Sequence, residues 1–276
     1  MELFNALYDI ASYLYEPLFM RRSAVAMALL CLSASSAGVM VVNRRLAFFP
    51  DAVGHSVFAG VAIALLCSLN VQFTVLTLSV IIGLTITFLA RHSHLASDTI
   101  IGLVFSGAVA LGLALVSREP QATAGLSRFF LGDVLTVDDA QILALAILVL
   151  ISFVFLFFLT NRLTLSCIIP KTQKSSWPDY LFGAYLALVV VISVQAVGVL
   201  LVTALLIAPA ATGRVLSVSM KGMFWLALLT GTLAGQIGLW ASFQPLINTT
   251  AGATVVLANV FFFCLATGFR HFFPVR

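Results

Sequence analysis

From residue 23 almost to the C-terminus the chain is a succession of long apolar runs separated by short polar interruptions. The runs cover residues 23–42, 53–69, 71–90, 99–117, 140–160, 180–215, 222–242 and 252–269, and within them Arg214, close to an end, is the only Lys, Arg, Asp or Glu. A bilayer hydrocarbon core about 30 Å thick needs roughly 20 apolar residues per helical crossing, which is the length that recurs here. Membrane β-strands would instead alternate apolar and polar residues over segments of roughly 10 residues; these runs are continuously apolar and rich in Leu, Ala, Val and Phe. A helix also satisfies its own backbone polar groups where no water is present. The pattern predicts an all-α fold, a polytopic transmembrane bundle of about 8–9 helices. The choice between eight and nine turns on the 36-residue run 180–215. It is too long for one upright helix and is expected to break near residues 195–198, or else to form one long tilted helix.

Composition agrees. Hydrophobic residues make up 62% of the 276 and charged residues 9%, with a mean hydropathy of +1.14, outside the range of soluble domains. Residues 1–20 differ, mixing Leu, Ile, Tyr and Phe with Glu2, Asp9 and Glu16. They are expected to form an interfacial amphipathic segment. A basic n-region and a small-residue cleavage site are missing, so the segment is expected to persist in the mature protein. Residues 21–276 then form the transmembrane domain. The net charge of +4 raises the possibility of nucleic-acid binding, but the basic residues fall in short clusters between spans, where topology explains them. With nine crossings and the N-terminus outside, Arg44, Arg45, Arg91, Arg162, Lys171, Lys174, Arg214, Lys221, Arg270 and Arg276 fall inside, and Arg21, Arg22, Arg118 and Arg128 outside. That bias favours a cytoplasmic C-terminus. Cys31, Cys67, Cys167 and Cys264 stand singly, which argues for packing rather than a zinc site or a disulfide frame.

No phosphate-binding loop, zincin motif or nucleophile elbow occurs in the sequence, so no catalytic chemistry is indicated. If ATP powers the protein, another chain must hydrolyse it. The chemistry that is present opens the second run, at Phe49-Pro50-Asp51-Ala52-Val53-Gly54-His55-Ser56. Pro50 suits the first turn of a helix. Asp51 and His55, four residues apart, then share a face one turn apart. A carboxylate and an imidazole so placed can ligate Mn²⁺, Zn²⁺ or Fe²⁺; equally, Asp51 can be a helix cap beside a hydrogen-bonded His55. Ionisable groups at membrane depth cost several kcal/mol unless paired or hydrated, which marks them as functional candidates. His92 and His94 are expected in a solvated loop, and His271 in a basic tail that anchors the last helix. Gly231 and Gly235, like Ser33 and Ala37, have the small-xxx-small spacing of close helix packing, within the subunit or across a dimer. Pro209 is expected to kink or end the seventh helix.

From about Arg21 onward the sequence resembles the permease subunits of the manganese, zinc and iron ABC importers. The resemblance rests on Arg44-Arg45-Leu46-Ala47 running into Asp51 to Val57 and Gly60-Val61-Ala62, on residues 131–137 (LGDVLTV), on residues 197–212 (VGVLLVTALLIAPAAT) and on residues 252–257 (GATVVL). Pro50 stands where the family usually has Gly, and Gly54 where it usually has Ser, deleting a hydroxyl that could support the site. The resemblance implies a permease that forms the translocation pathway with a second permease, alike or related. It implies two cytoplasmic ATPase subunits, an extracytoplasmic metal-binding protein that delivers the ion, and a bacterial cytoplasmic membrane. No cofactor is expected to be tightly bound; Mn²⁺, Zn²⁺ or Fe²⁺ is cargo. Asp51 and His55 match the family's pathway pair, as transient ligands or a gate, because conduction needs sites weak enough to leave. By position and charge, the loop from Arg214 to Gly222, with Arg214 and Lys221, is the expected ATPase dock, and residues 131–137 are expected to face the delivery protein. The rival reading is a secondary divalent-cation carrier without ATPases; such carriers place several ionisable groups at midplane, and this chain offers one pair.

Overall fold

The computed structural model describes residues 18–117, 134–168, 177–244 and 249–272, excepting the side chains of residues 18, 161 and 164–168. Residues 1–17 of the expected interfacial segment, and residues 131–133 of the expected delivery-protein loop, lie outside the described residues. Among the described residues all regular structure is helical: α1 (Leu18–Asn43), α2 (Phe49–Leu66), α3 (Val71–His92), α4 (Ser97–Val116), a 3-10 turn at Val134–Thr136, α5 (Asp139–Ile168), α6 (Trp177–Val197), α7 (Val199–Leu216), α8 (Met220–Ser242) and α9 (Ala251–Phe272). All nine of these α-helices contain a stretch long and apolar enough to cross a membrane.

The run 180–215 divides at Gly198, whose φ of 87° lies in the left-handed region that only glycine enters without strain. Pro209 lies inside α7, well past its first turn, yet it does not end the helix, which continues to Leu216. α1 begins at Leu18, five residues before the apolar run, and Arg22 in its first turns pairs with Asp139 at 2.5 Å. α2 begins at Phe49 rather than 53, with Pro50 in its first turn, where its missing N–H is not needed. Asn70 caps α3 by accepting from the Phe73 N–H, and Ser219 caps α8 by accepting from the Gly222 N–H.

Two helix ends share a costly geometry. After α1, Arg45 has φ 56°, and the N–H groups of Arg45 and Leu46 reach back to the carbonyls of Val42 and Val41. After α2, Ser68 has φ 53°, with Ser68 and Leu69 reaching back to Leu65 and Ala64. Both are Schellman closures, in which glycine is the usual left-handed residue. An L-residue there costs about 1–2 kcal/mol.

The chain forms two compact units, and their division falls within α1, α5 and α7. In the unit of residues 40–132 and 151–203, α2 packs against α3, α4 and α6, and α3 packs against α4 and α6. Glycines let these backbones approach: Gly83 of α3 lies against Ala187 and Gly183 of α6, and Gly112 of α4 against Ala59 of α2. In the unit of residues 1–39, 133–150 and 204–276, α8 packs against α9 and α1. Gly231 faces Ser35 and Pro209, and Gly235 faces Cys31 and Met27, so the small-xxx-small spacing is used for packing inside the chain. Gln236 Nε2 donates to the Ala24 carbonyl at 2.9 Å across the same contact. Large apolar side chains such as Leu103, Leu150, Phe157, Trp225 and Leu257 remain exposed, as expected of surfaces solvated by lipid.

Candidate metal pathway site

Asp51 and His55 fall in the first two turns of α2, a helix buried on nearly every side. From Phe49 to Ala62 every residue is buried except these two. The i,i+4 spacing therefore does more than align them: it places both ionisable groups on the single uncovered stripe of the helix. His55 Nδ1 lies 2.9 Å from the Asp51 carbonyl oxygen. A carbonyl can only accept, so Nδ1 carries the proton and, in the neutral ring, the lone pair sits on Nε2, the nitrogen that can ligate a metal. The ring is fixed by aromatic neighbours. Phe105 of α4 meets it edge-on, with centroids 5.0 Å apart, and Phe58 lies at 6.0 Å.

Gly54, between the pair, faces Val199, the first residue of α7. A Cβ at Gly54 would come within 2.9 Å of Val199 Cγ1. The glycine thus fits the close approach of the chain just after the Gly198 break, and the Cβ of any larger residue there would make the Val199 side chain shift.

The other histidines stay apart from the pair. His92 ends α3, exposed, stacked on Phe88 with its Nδ1 2.9 Å from the Phe88 carbonyl oxygen; His94 is exposed in the following loop, and His271 is exposed at the end of α9. Among the described residues no group of three or more His, Cys, Asp and Glu side chains could hold a metal together. Asp51 and His55 are therefore a candidate pair and not part of a larger ligand cluster among the described residues. Arg214 and Lys221 are exposed on either side of the tight turn between α7 and α8, where Val218 is also exposed. The turn is internally bonded through Ser217 and Ser219, and Arg270 of α9 donates to the Val215 carbonyl at 2.5 Å.

The sequence reading did not find the ionic cluster at the end of α1. Asp179, in the first turn of α6, accepts from Arg44 at 2.8 Å and also pairs with Arg91 of α3. Arg44 donates further to the Leu163 carbonyl and lies 5.1 Å from the Phe182 ring centroid. All three side chains are largely buried, at 13%, 16% and 16% exposure. The arginines were legible as topology signals; their common partner was not.

Residues 16–270 match the ABC 3 transport family. The chain belongs to that family. It is a multi-pass membrane protein and the permease component of such a transporter, with ATP hydrolysis on a separate chain, which removes the secondary-carrier alternative. The manganese transport system membrane protein MntC of Listeria monocytogenes is 32% identical over 83% of this chain and 82% of that one. The high-affinity zinc uptake system membrane protein ZnuB of Haemophilus influenzae is 26% identical over 83% of this chain and 89% of that one. Among solved structures, a chain of PsaBC from Streptococcus pneumoniae in complex with Fab superposes with a TM-score of 0.77 at 23% identity, covering 96% of this chain and 99% of that one. That likeness extends the fold match over nearly the whole length.

Proposed function

We propose that this ABC-3 permease carries a divalent transition metal, Mn²⁺, Zn²⁺ or Fe²⁺, inward across a bacterial cytoplasmic membrane, with Asp51 and His55 as transient ligands or a gate. The observation that carries the reading is the stripe at the start of α2, where packing buries every residue from Phe49 to Ala62 except a carboxylate and an imidazole, which stay partly open. Those donors suit all three metals, and their chemistry does not choose among them. The relatives named for manganese and zinc support the same substrate class. Two donors make a weak site, as passage requires. A second permease presenting its own pair across the pathway would supply four, so the working unit is a homodimer or a heterodimer with a related chain. An extracytoplasmic metal-binding protein delivers the ion.

Two cytoplasmic ATPases engage the turn holding Arg214 and Lys221, whose exposed basic and apolar side chains sit on a rigid support tied to α9 by Arg270. The C-terminus is then cytoplasmic. Replacing Arg214 and Lys221 together should reduce ATPase copurification; full assembly with coupled ATP hydrolysis would remove the turn from the interface.

The decisive experiment is cellular metal content in an uptake-deficient strain expressing the complete transporter with Asp51→Ala or His55→Ala, with assembly checked in the same cells. Loss of accumulation of one metal with assembly intact is expected and names the ion. Unchanged accumulation of every metal would return both residues to a capping and packing role.

A further inference from the structure

Beside the Asp179 cluster lies a cavity of about 260 Å³, whose lining includes Arg44, Arg45, Arg91, Asp179, Thr87 and Ser97. We propose that it binds a phosphate group, supplied by the headgroup of an anionic phospholipid. The inference concerns the membrane-embedded chain and does not depend on which ion is carried.

The cavity carries excess positive charge. Three arginines face one aspartate in this lining. Asp179 compensates one of them, leaving two guanidinium charges in excess. Each guanidinium has five N–H donors in a planar fork that matches phosphate oxygens, and Asp179 takes up only a few of them. The Arg44 Nε is buried with no hydrogen-bond partner among the described residues, a donor the fold itself leaves unanswered.

The backbone of one lining residue is strained. Arg45 occupies the left-handed position of the α1 closure, φ 56°, where glycine would be free of strain. Its side chain is exposed and lines the cavity. Such an outlier directs attention to what its side chain does; unlike Ser68 at the end of α2, Arg45 lines a cavity, and its side chain brings a third positive charge to the opening.

The surroundings point to lipid. Phe48, Phe88 and Leu95, each within two residues of a lining position, are exposed apolar side chains. A basic pocket between transmembrane helices, bordered by apolar surface, is the arrangement that holds an acidic headgroup while its acyl chains remain in the bilayer.

The test uses the purified full-length chain in nanodiscs of phosphatidylcholine with increasing phosphatidylglycerol, read by thermal unfolding and by native mass spectrometry of retained lipid. Wild type is expected to gain stability and retain phosphatidylglycerol. Arg45→Gly relieves the backbone strain, so its unfolding midpoint in pure phosphatidylcholine should equal or exceed that of wild type. Its apparent affinity for phosphatidylglycerol should fall about fivefold, the effect of one basic residue at an anionic surface. Arg45→Asn, which tolerates the same backbone conformation, should behave alike, and Arg45→Lys should restore most of the lipid response. Inorganic phosphate added to phosphatidylcholine discs separates the sources: stabilisation of wild type but not Arg45→Gly would uphold the phosphate site and assign it to soluble phosphate. No response of wild type to either source, or an equal response of wild type and Arg45→Gly, would overturn the proposal. So would loss of ATPase copurification in Arg45→Gly with lipid retention unchanged, which would give the cavity to a protein partner.

Discussion

Asp179 joins three helices through one carboxylate, and its removal should be among the most damaging single changes in the chain. In Asp179→Ala both Arg44 and Arg91 lose their common anion. Charge-assisted hydrogen bonds contribute about 1.5–3 kcal/mol each. Breaking a buried pair from one side typically costs about 3–5 kcal/mol, because the remaining charge stays desolvated and unpaired. The side chains here are 13–16% exposed, and the Leu163 carbonyl and the Phe182 ring still hold Arg44. These features place the expected loss near the lower end, about 3 kcal/mol. The Arg22–Asp139 pair is an internal control with the same chemistry and a short contact, but its side chains are 38% and 74% exposed. Water already solvates it, so Asp139→Ala should cost no more than about 1 kcal/mol. Thermal unfolding of the purified protein in one detergent measures both. At about 2–4 °C per kcal/mol for chains of this size, Asp179→Ala should lower the midpoint by roughly 6–12 °C and Asp139→Ala by less than about 4 °C. A double-mutant cycle with Arg91→Ala should return a coupling above about 1 kcal/mol. Equal midpoint losses for the two aspartates, or additive effects in the cycle, would refute the burial argument.

Glycine substitutions should divide by what a new Cβ meets. Gly231→Ala would crowd Ser35 and Pro209 and should destabilise by about 1–3 kcal/mol, whereas Gly102→Ala, with open space around it, should stabilise by about 0.5 kcal/mol; both are read by the same unfolding assay. Ser68→Gly should raise stability by about 1 kcal/mol by relieving the left-handed closure of α2, and a neutral or negative result would place the strain elsewhere. Phe105→Ala removes the edge-on partner of the His55 ring and should weaken metal uptake roughly two- to tenfold at unchanged expression, the equivalent of about 0.5–1.5 kcal/mol; uptake concentration curves check it.

The membrane character of the chain and its helix count were legible because each crossing is a local property of about twenty residues, and the Gly198 division fell inside the window where the long run had to break. Asp51 and His55 were legible for the same reason, being four residues apart on one helix. Their partial exposure in an otherwise buried stretch was not, since it depends on how α3, α4, α6 and the start of α7 pack around the first turns of α2. Phe105 lies fifty residues from His55, and Asp179 more than eighty from either of its arginines. Such meetings are set by helix packing and leave no periodic trace. Pro209 shows the converse. Its local preference is to break a helix, yet α7 continues past it while its ring packs against Gly231, so packing outweighs a strong local signal.

If Asp51 and His55 are the pathway ligands proposed above, the two donors of one chain cannot by themselves close the coordination sphere of a first-row divalent ion, which needs four or more ligands. An ion resting on one such pair would keep part of its hydration shell and be handed on by stepwise ligand exchange, one bond lost as another forms, so its dwell time would be short. On that proposal the metal is a passenger and not a staple: chelators should deplete the pathway and leave the unfolding midpoint where it was, the opposite of a structural zinc site, whose fold collapses with its ion.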